Sequence, residues 1–139
     1  MLVYDFETFK HNTLLGVLNE ETGEIIQTWD ISEIKELAKS QLSNIWIGYN
    51  CEHYDKILLH GIMTDKLTNS NKIFDCSSAV INAQDSDIPV FNVLGKYGIN
   101  DYYASPLLSY DVMGDGSFMS LKQNEGFMRY GYCRKCCSV

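Results

Sequence analysis

The run Leu2-Val3-Tyr4-Asp5-Phe6-Glu7 alternates with a period that only an extended strand can use. Successive side chains leave a strand on opposite faces, so Leu2, Tyr4 and Phe6 share one face while Val3, Asp5 and Glu7 share the other. The first face is wholly apolar and demands a core. The second sets two carboxylates at i and i+2 on an otherwise apolar strand, which is costly unless a cation compensates them. Hard carboxylate oxygens suit Mg²⁺ or Mn²⁺.

The following segments build a sheet around that strand. Thr13 to Leu18 and Glu24 to Trp29 are β-type runs on either side of Asn19-Glu20-Glu21-Thr22-Gly23, a hairpin turn with Gly23 supplying positive φ. Asp30-Ile31-Ser32-Glu33 reads as a capping box, and Ile31, Ile34, Leu37, Ala38 and Leu42 follow at helical spacing, predicting a helix over 31–42. Asn44 to Tyr49 returns to β character, and His53 to Met63 resumes a helical pattern through Tyr54, Ile57, Leu58 and Ile62. Asn69-Ser70-Asn71 reads as a loop, Phe74 to Ala83 as a short helix, and Asp85 to Pro89 as a break. Gly95, Gly98 and Asn100 mark further turns, and Pro106 to Met113 reads as a buried strand. Gly114 to Ser117 then forms a loop and Met119 to Met128 a short helix. This order predicts an α/β fold in which a mixed central sheet, three antiparallel strands and then parallel ones, carries helices on its faces.

At 139 residues the chain is one domain, expected over 1–128, with an irregular Cys-rich tail over 129–139. A net charge of −7 argues against a generic polyanion-binding surface. Nucleic acid would need local Lys and Arg, whereas an acidic chain could also occupy a basic groove on another protein. No apolar run is long enough for a bilayer and no basic segment precedes an apolar one at the N-terminus, so a cytoplasmic protein without membrane contact is expected. Five cysteines, at 51, 76, 133, 136 and 137, fit a reducing compartment. Cys133-x-x-Cys136-Cys137 lacks a second zinc-ligand pair, although Cys76 could join it in space. His11, His53 and His60 show no ligand spacing with one another.

A third carboxylate falls where the fourth strand gives way to a helix, in Gly48-Tyr49-Asn50-Cys51-Glu52-His53-Tyr54-Asp55. Ligands in α/β sheets favour the carboxyl ends of strands. If the fourth strand lies parallel to the first and beside it, Asp55 can approach Asp5 and Glu7, and three clustered acids without a basic partner suggest a two-metal nucleolytic site. The bland readings are an acid pair on an exposed edge strand for Asp5 and Glu7, a first-turn helix acid for Asp55, a core aromatic for Tyr54, and a strand-end structural acid for Asp111.

Asp5-Phe6-Glu7 resembles the first motif, Asp-x-Glu, of the DEDD-type 3′–5′ proofreading exonucleases. Asn50-Cys51-Glu52-His53-Tyr54-Asp55 resembles their second, an Asn followed by an aromatic–Asp pair. Tyr110-Asp111-Val112-Met113 and Ser120-Leu121-Lys122 resemble the strand and helix that come next in the exonuclease domains of phage-type DNA polymerases. The resemblance implies a ribonuclease-H-like fold and a metal-dependent exonuclease acting on single-stranded DNA ends. In that scheme Asp5 bridges two Mg²⁺ or Mn²⁺ ions, Glu7 holds the ion that activates water, and Asp55 anchors the ion at the leaving 3′-oxygen. Phe6 or Tyr54 would stack on a terminal base, with Asn50 as a further substrate contact.

The pattern departs from the family at its end. The fourth acid, on Tyr-x-x-x-Asp or His-x-x-x-x-Asp, has no counterpart: Tyr132 and Cys136 have the spacing, with a thiol in place of a carboxylate. Activity is expected to fall by orders of magnitude unless Asp111 or Asp115 substitutes, or a second copy or a polymerase chain supplies the group. The alternative is a catalytically lapsed phage or mobile-element protein that binds a nucleic-acid-handling protein, for example as an inhibitor of a host defence nuclease.

Overall fold

The N-terminal alternation becomes the central strand of a five-stranded sheet of order β3-β2-β1-β4-β5. The structure, a computed structural model, describes residues 1–113. The expected loop at 114–117, the helix at 119–128 and the Cys-rich tail lie outside the described residues.

Strands β1 (Leu2–Thr8), β2 (Thr13–Asn19) and β3 (Ile25–Thr28) pair antiparallel, with Leu2 opposite Asn19, Glu7 opposite Leu14 and Leu15 opposite Thr28. Gly23 closes the β2–β3 hairpin at φ 75°. Strands β4 (Ile45–Gly48) and β5 (Leu108–Asp111) add in parallel on the other side of β1. Three antiparallel strands followed by parallel ones is the ribonuclease-H-like arrangement expected.

Helix α1 (Ile31–Ser40) starts at Asp30, whose carboxylate accepts from the amides of Ser32 (2.9 Å) and Glu33 (3.4 Å). The other half of the expected capping box is not formed. Glu33 accepts instead from the Thr28 hydroxyl at 3.1 Å, and that hydroxyl oxygen takes the Asp30 amide at 3.1 Å. Helix α2 (Asp55–Met63) is buried along its whole length, packed on α1, and a single 3₁₀ turn over Cys51–His53 leads into it. Helix α3 (Ser70–Asp85) starts four residues before the sequence pattern predicts: Asn69, expected to open a loop over 69–71, is a helix cap that accepts from the Lys72 amide at 2.9 Å. A short α4 (Val90–Leu94) follows the break at Pro89.

Leu2, Tyr4, Phe6, Leu15, Val17 and Trp46 form the buried face of the sheet, with the Tyr4 and Trp46 rings edge to face at 5.2 Å. Ile34, Ala38, Ile57, Leu58, Ile62, Ile73 and Val80 from the helices complete this core. The opposite face is open among the described residues. Register aligns Ile25, Leu18, Val3, Ile47 and Tyr110 across all five strands, and Ile25, Leu18, Val3 and Tyr110 are exposed. Strand β5 is therefore not the buried strand expected at 106–113: among the described residues it lies at the edge of the sheet, with Leu108 51% and Tyr110 62% exposed. No described helix is long and apolar enough to cross a membrane.

Candidate functional site

Strands β1 and β4 run side by side only as far as Val3 and Ile47. Beyond that pair β4 ends at Gly48 and the chain turns away through Asn50, which adopts φ 56°, a left-handed conformation that Asn tolerates better than most residues. Gly48 is required here because a Cβ would stand 2.7 Å from that of Cys51. The turn delivers Asp55 to the gap left at the carboxyl end of β1. Its Oδ1 accepts from the Phe6 amide at 3.0 Å, doing for β1 what the next residue of a paired strand would have done.

Asp55 thus bonds the residue that follows Asp5, near enough for the charge of Asp5 to act on it. Asp55 is 3% exposed, and burial, with the charge of Asp5 and then that of Asp111 adding to it, lifts its carboxyl to about 7 against the Phe6 hydrogen bond. Asp5, though its residue is largely exposed on the open face, is also raised, by partial burial and then by Glu7. The charge of Glu7 acts on Asp5, and that of Asp5 acts on Asp55. Glu7 lies exposed beyond Asp5 on the same face. Neither Asp5, Glu7 nor Asp55 has a Lys or Arg partner among the described residues. The acid pair lies on the central strand, not on an edge.

The other expected site residues have different roles. Phe6 is buried on the far face from Asp5 and cannot stack on a base at the carboxylates. This corrects the stacking expectation, since adjacent residues of one strand cannot share a face. Tyr54 is half-buried against the core, and its hydroxyl shares hydrogen bonds with Thr8 (3.2 Å) and Ser77, so its ring is a core element. Asn50 serves the turn: its amide donates to Asp111 at 2.8 Å. Asp111 also accepts from the amides of Glu52 (3.1 Å) and Met113 (2.9 Å), which ties the ends of β4 and β5 together. That carboxylate is a structural clamp. Asp115, Tyr132 and Cys136, which bear on the fourth ligand, lie outside the described residues, as do Cys133 and Cys137. Burial pushes the Cys51 and Cys76 thiols up to about 12 each, so neither is a ready metal ligand.

Two features had no signal in the sequence. Ser77 completes a hydroxyl triangle with Thr8 and Tyr54, fixing α3 against the end of β1. His60, buried in α2, bridges Ser105 (Nδ1, 3.0 Å) and Asp101 (Nε2, 3.1 Å), pinning the 99–107 connection to that helix.

The donor set at β1 is all oxygen and all anionic, the chemistry of a hard divalent cation. Among the described residues, however, no three His, Cys, Asp or Glu side chains stand close enough to cage an ion. The chemistry fits Mg²⁺ or Mn²⁺ held by two carboxylates with water completing the shell, as Mg²⁺ is commonly bound. It does not fit a preformed three-ligand cage. No family model, no curated protein and no solved structure matches this chain.

Proposed function

We propose that this chain is a divalent-metal-dependent phosphodiesterase of the DEDD 3′–5′ exonuclease type, working slowly on single-stranded DNA ends. The observation that carries this reading is the Phe6 amide–Asp55 hydrogen bond, because it joins two motifs 49 residues apart at the carboxyl end of the central strand. Asp5 and Asp55 would hold the ion, with Glu7 at its outer side. A bound ion would polarise a phosphoryl oxygen and lower the pKa of a coordinated water.

The chain's own residues do the positioning. The Phe6 amide orients Asp55, and burial keeps that carboxyl half protonated near neutral pH, ready to exchange its proton for a cation. Glu7, exposed on the same face as Asp5, would accept a proton from attacking water. Slow turnover follows from the donor count. Among the described residues only two acids converge, and Asp111 is committed to three amides.

End-labelled single-stranded DNA incubated with Mn²⁺ at high protein concentration tests this reading. Slow shortening from the 3′ end, lost with chelator and in Asp5→Ala, is the expected result. Intact substrate under those conditions overturns it.

The open apolar face favours a second reading, a lapsed exonuclease that keeps its fold and binds a nucleic-acid-handling protein, such as a host defence nuclease, a polymerase chain or a second copy. Partner binding that survives Ala at Asp5, Glu7 and Asp55 together would favour it, and its loss would speak for the carboxylate site.

A further inference from the structure

The β1–β2 connection carries Phe9-Lys10-His11-Asn12, folded back on itself by a hydrogen bond from the Phe9 amide to the Asn12 carbonyl at 2.8 Å. All four residues are exposed. Phe9 is 49% exposed and its ring meets Trp29, 56% exposed, with centroids 6.2 Å apart and planes tilted by 30°. Two large aromatic rings turned together toward solvent are out of place in a surface built only for solubility.

Their position ties them to the carboxylates. Phe9 follows Glu7 by two residues. Trp29 lies one step past the Leu15–Thr28 pair, hence level with Leu14, whose own partner on β1 is Glu7. Thr28 points into the core, so Trp29 takes the parity of the open face that also bears Asp5 and Glu7. Lys10 has no ion-pair partner among the described residues, and His11 stands beside it. Thus the rim of an acidic site bears an aromatic pair and a neighbouring cation, the combination by which single-stranded nucleic acids are held: bases stack on rings while Lys meets phosphate.

We infer that Phe9 and Trp29 form the stacking platform for an unpaired terminal nucleobase, with Lys10 on the adjoining phosphate, in the role that Phe6 and Tyr54 cannot fill. This assignment rests on the exonuclease-type reading of the carboxylates, and it names where the strand end enters. Stacking is sequence-tolerant, since every base has a π-face, and purines should bind more tightly than pyrimidines through their larger rings.

Tryptophan fluorescence of the full chain supplies a direct test. The chain has two tryptophans; Trp46 is fully buried, so only Trp29 can be quenched by a stacked base. Oligothymidylate and oligoadenylate are titrated in chelator, where no digestion occurs, with anisotropy of a labelled oligonucleotide as a second readout. Saturable quenching is expected, with affinity falling about tenfold in Phe9→Ala and in Trp29→Ala, and by a smaller, salt-dependent amount in Lys10→Gln. Both rings are exposed, so these variants keep the fold, which circular dichroism checks. Absent quenching in the parent chain, or unchanged anisotropy affinity in Phe9→Ala, overturns the assignment. Quenching that persists in a chain unable to digest DNA with Mn²⁺ upholds the platform while removing the exonuclease activity, so the two failures are told apart.

Discussion

Asp55 takes the hydrogen bond that Phe6 would otherwise give to a neighbouring strand, at 3.0 Å and across 49 positions of sequence. One carboxylate therefore has two duties. It completes the backbone pairing of β1 where β4 has turned away, and it adds a second acid beside Asp5. The duties conflict, because the first calls only for an acceptor oxygen while the second calls for a buried charge.

That conflict makes a prediction about pH. Asp55 is lifted from 3.8 to about 7 in the fold, so between those values the native state holds a proton that the unfolded chain has lost. Stability from this group is fully present below about pH 4 and declines as pH rises toward 7, by an amount of order 4 kcal/mol at most. Asp55→Asn keeps the acceptor for Phe6 and removes the charge. It should raise the unfolding midpoint by several degrees at pH 8 and leave it nearly unchanged at pH 4, as read by thermal denaturation at both values. Equal effects at the two pH values would mean that the ionised form costs nothing.

A cation should act in the opposite sense to the proton. Mn²⁺ or Mg²⁺ at millimolar concentration favours the ionised pair, so it should raise the thermal midpoint at pH 8 and much less at pH 5, where Asp55 is protonated. Asp5→Asn and Asp55→Asn should each abolish the shift. Differential scanning fluorimetry of the three proteins with Mn²⁺, with Ca²⁺ and with chelator makes this comparison without any substrate. A midpoint shift equal in all three would place the ion elsewhere.

Much of this geometry was legible in the residues. The alternation Leu2-Val3-Tyr4-Asp5-Phe6-Glu7 separates a core face from an acidic face, and the strand-to-helix junction before Asp55 points to the carboxyl end of a parallel neighbour; both are found. The same alternation already rules out Phe6 as a partner of Asp5, so the stacking role imported with the family motif contradicted the strand's own parity. The open face was less legible. Pro106 to Met113 reads as a buried strand and the element order puts helices on the sheet's faces, yet no local pattern says that, among the described residues, helices cover only one. The roles of Ser77 and His60 depend on side chains meeting across 23 to 69 residues, which periodicity does not encode.

Asp111 is expected to matter more for stability than for chemistry. Its carboxylate collects the amides of Asn50, Glu52 and Met113, and Asp111→Ala would leave three part-buried donors to find water. A loss of about 2–3 kcal/mol is expected by denaturant titration. Asp111→Asn should lose less, since one oxygen remains to accept. If Asp111→Ala instead left stability intact while changing Mn²⁺ affinity, the side chain would belong to the ion site after all.

Gly48 sets the final and sharpest geometric demand. It is the last residue of β4, and the chain must double back so closely that a methyl group there would come within 2.7 Å of the Cys51 Cβ and 3.3 Å of the Tyr4 carbonyl. Neither neighbour can yield easily: Cys51, the first residue of the 3₁₀ turn, is fully buried, and Tyr4 is locked in β1 against Trp46. Gly48→Ala must therefore push the Cys51–His53 turn outward, and Asp55 moves with it away from the Phe6 amide. A destabilisation of about 1–3 kcal/mol is expected from overpacking. Because the displaced turn also carries Asp55, the Mn²⁺-dependent midpoint shift should shrink along with it. Pairing Gly48→Ala with Cys51→Ala cannot relieve the contact, since the clash is with the Cβ that both residues share, whereas Cys51→Gly should restore much of the ion response. A Gly48→Ala protein with the parent's response to Mn²⁺ would show that the approach of Asp55 to β1 does not depend on this turn.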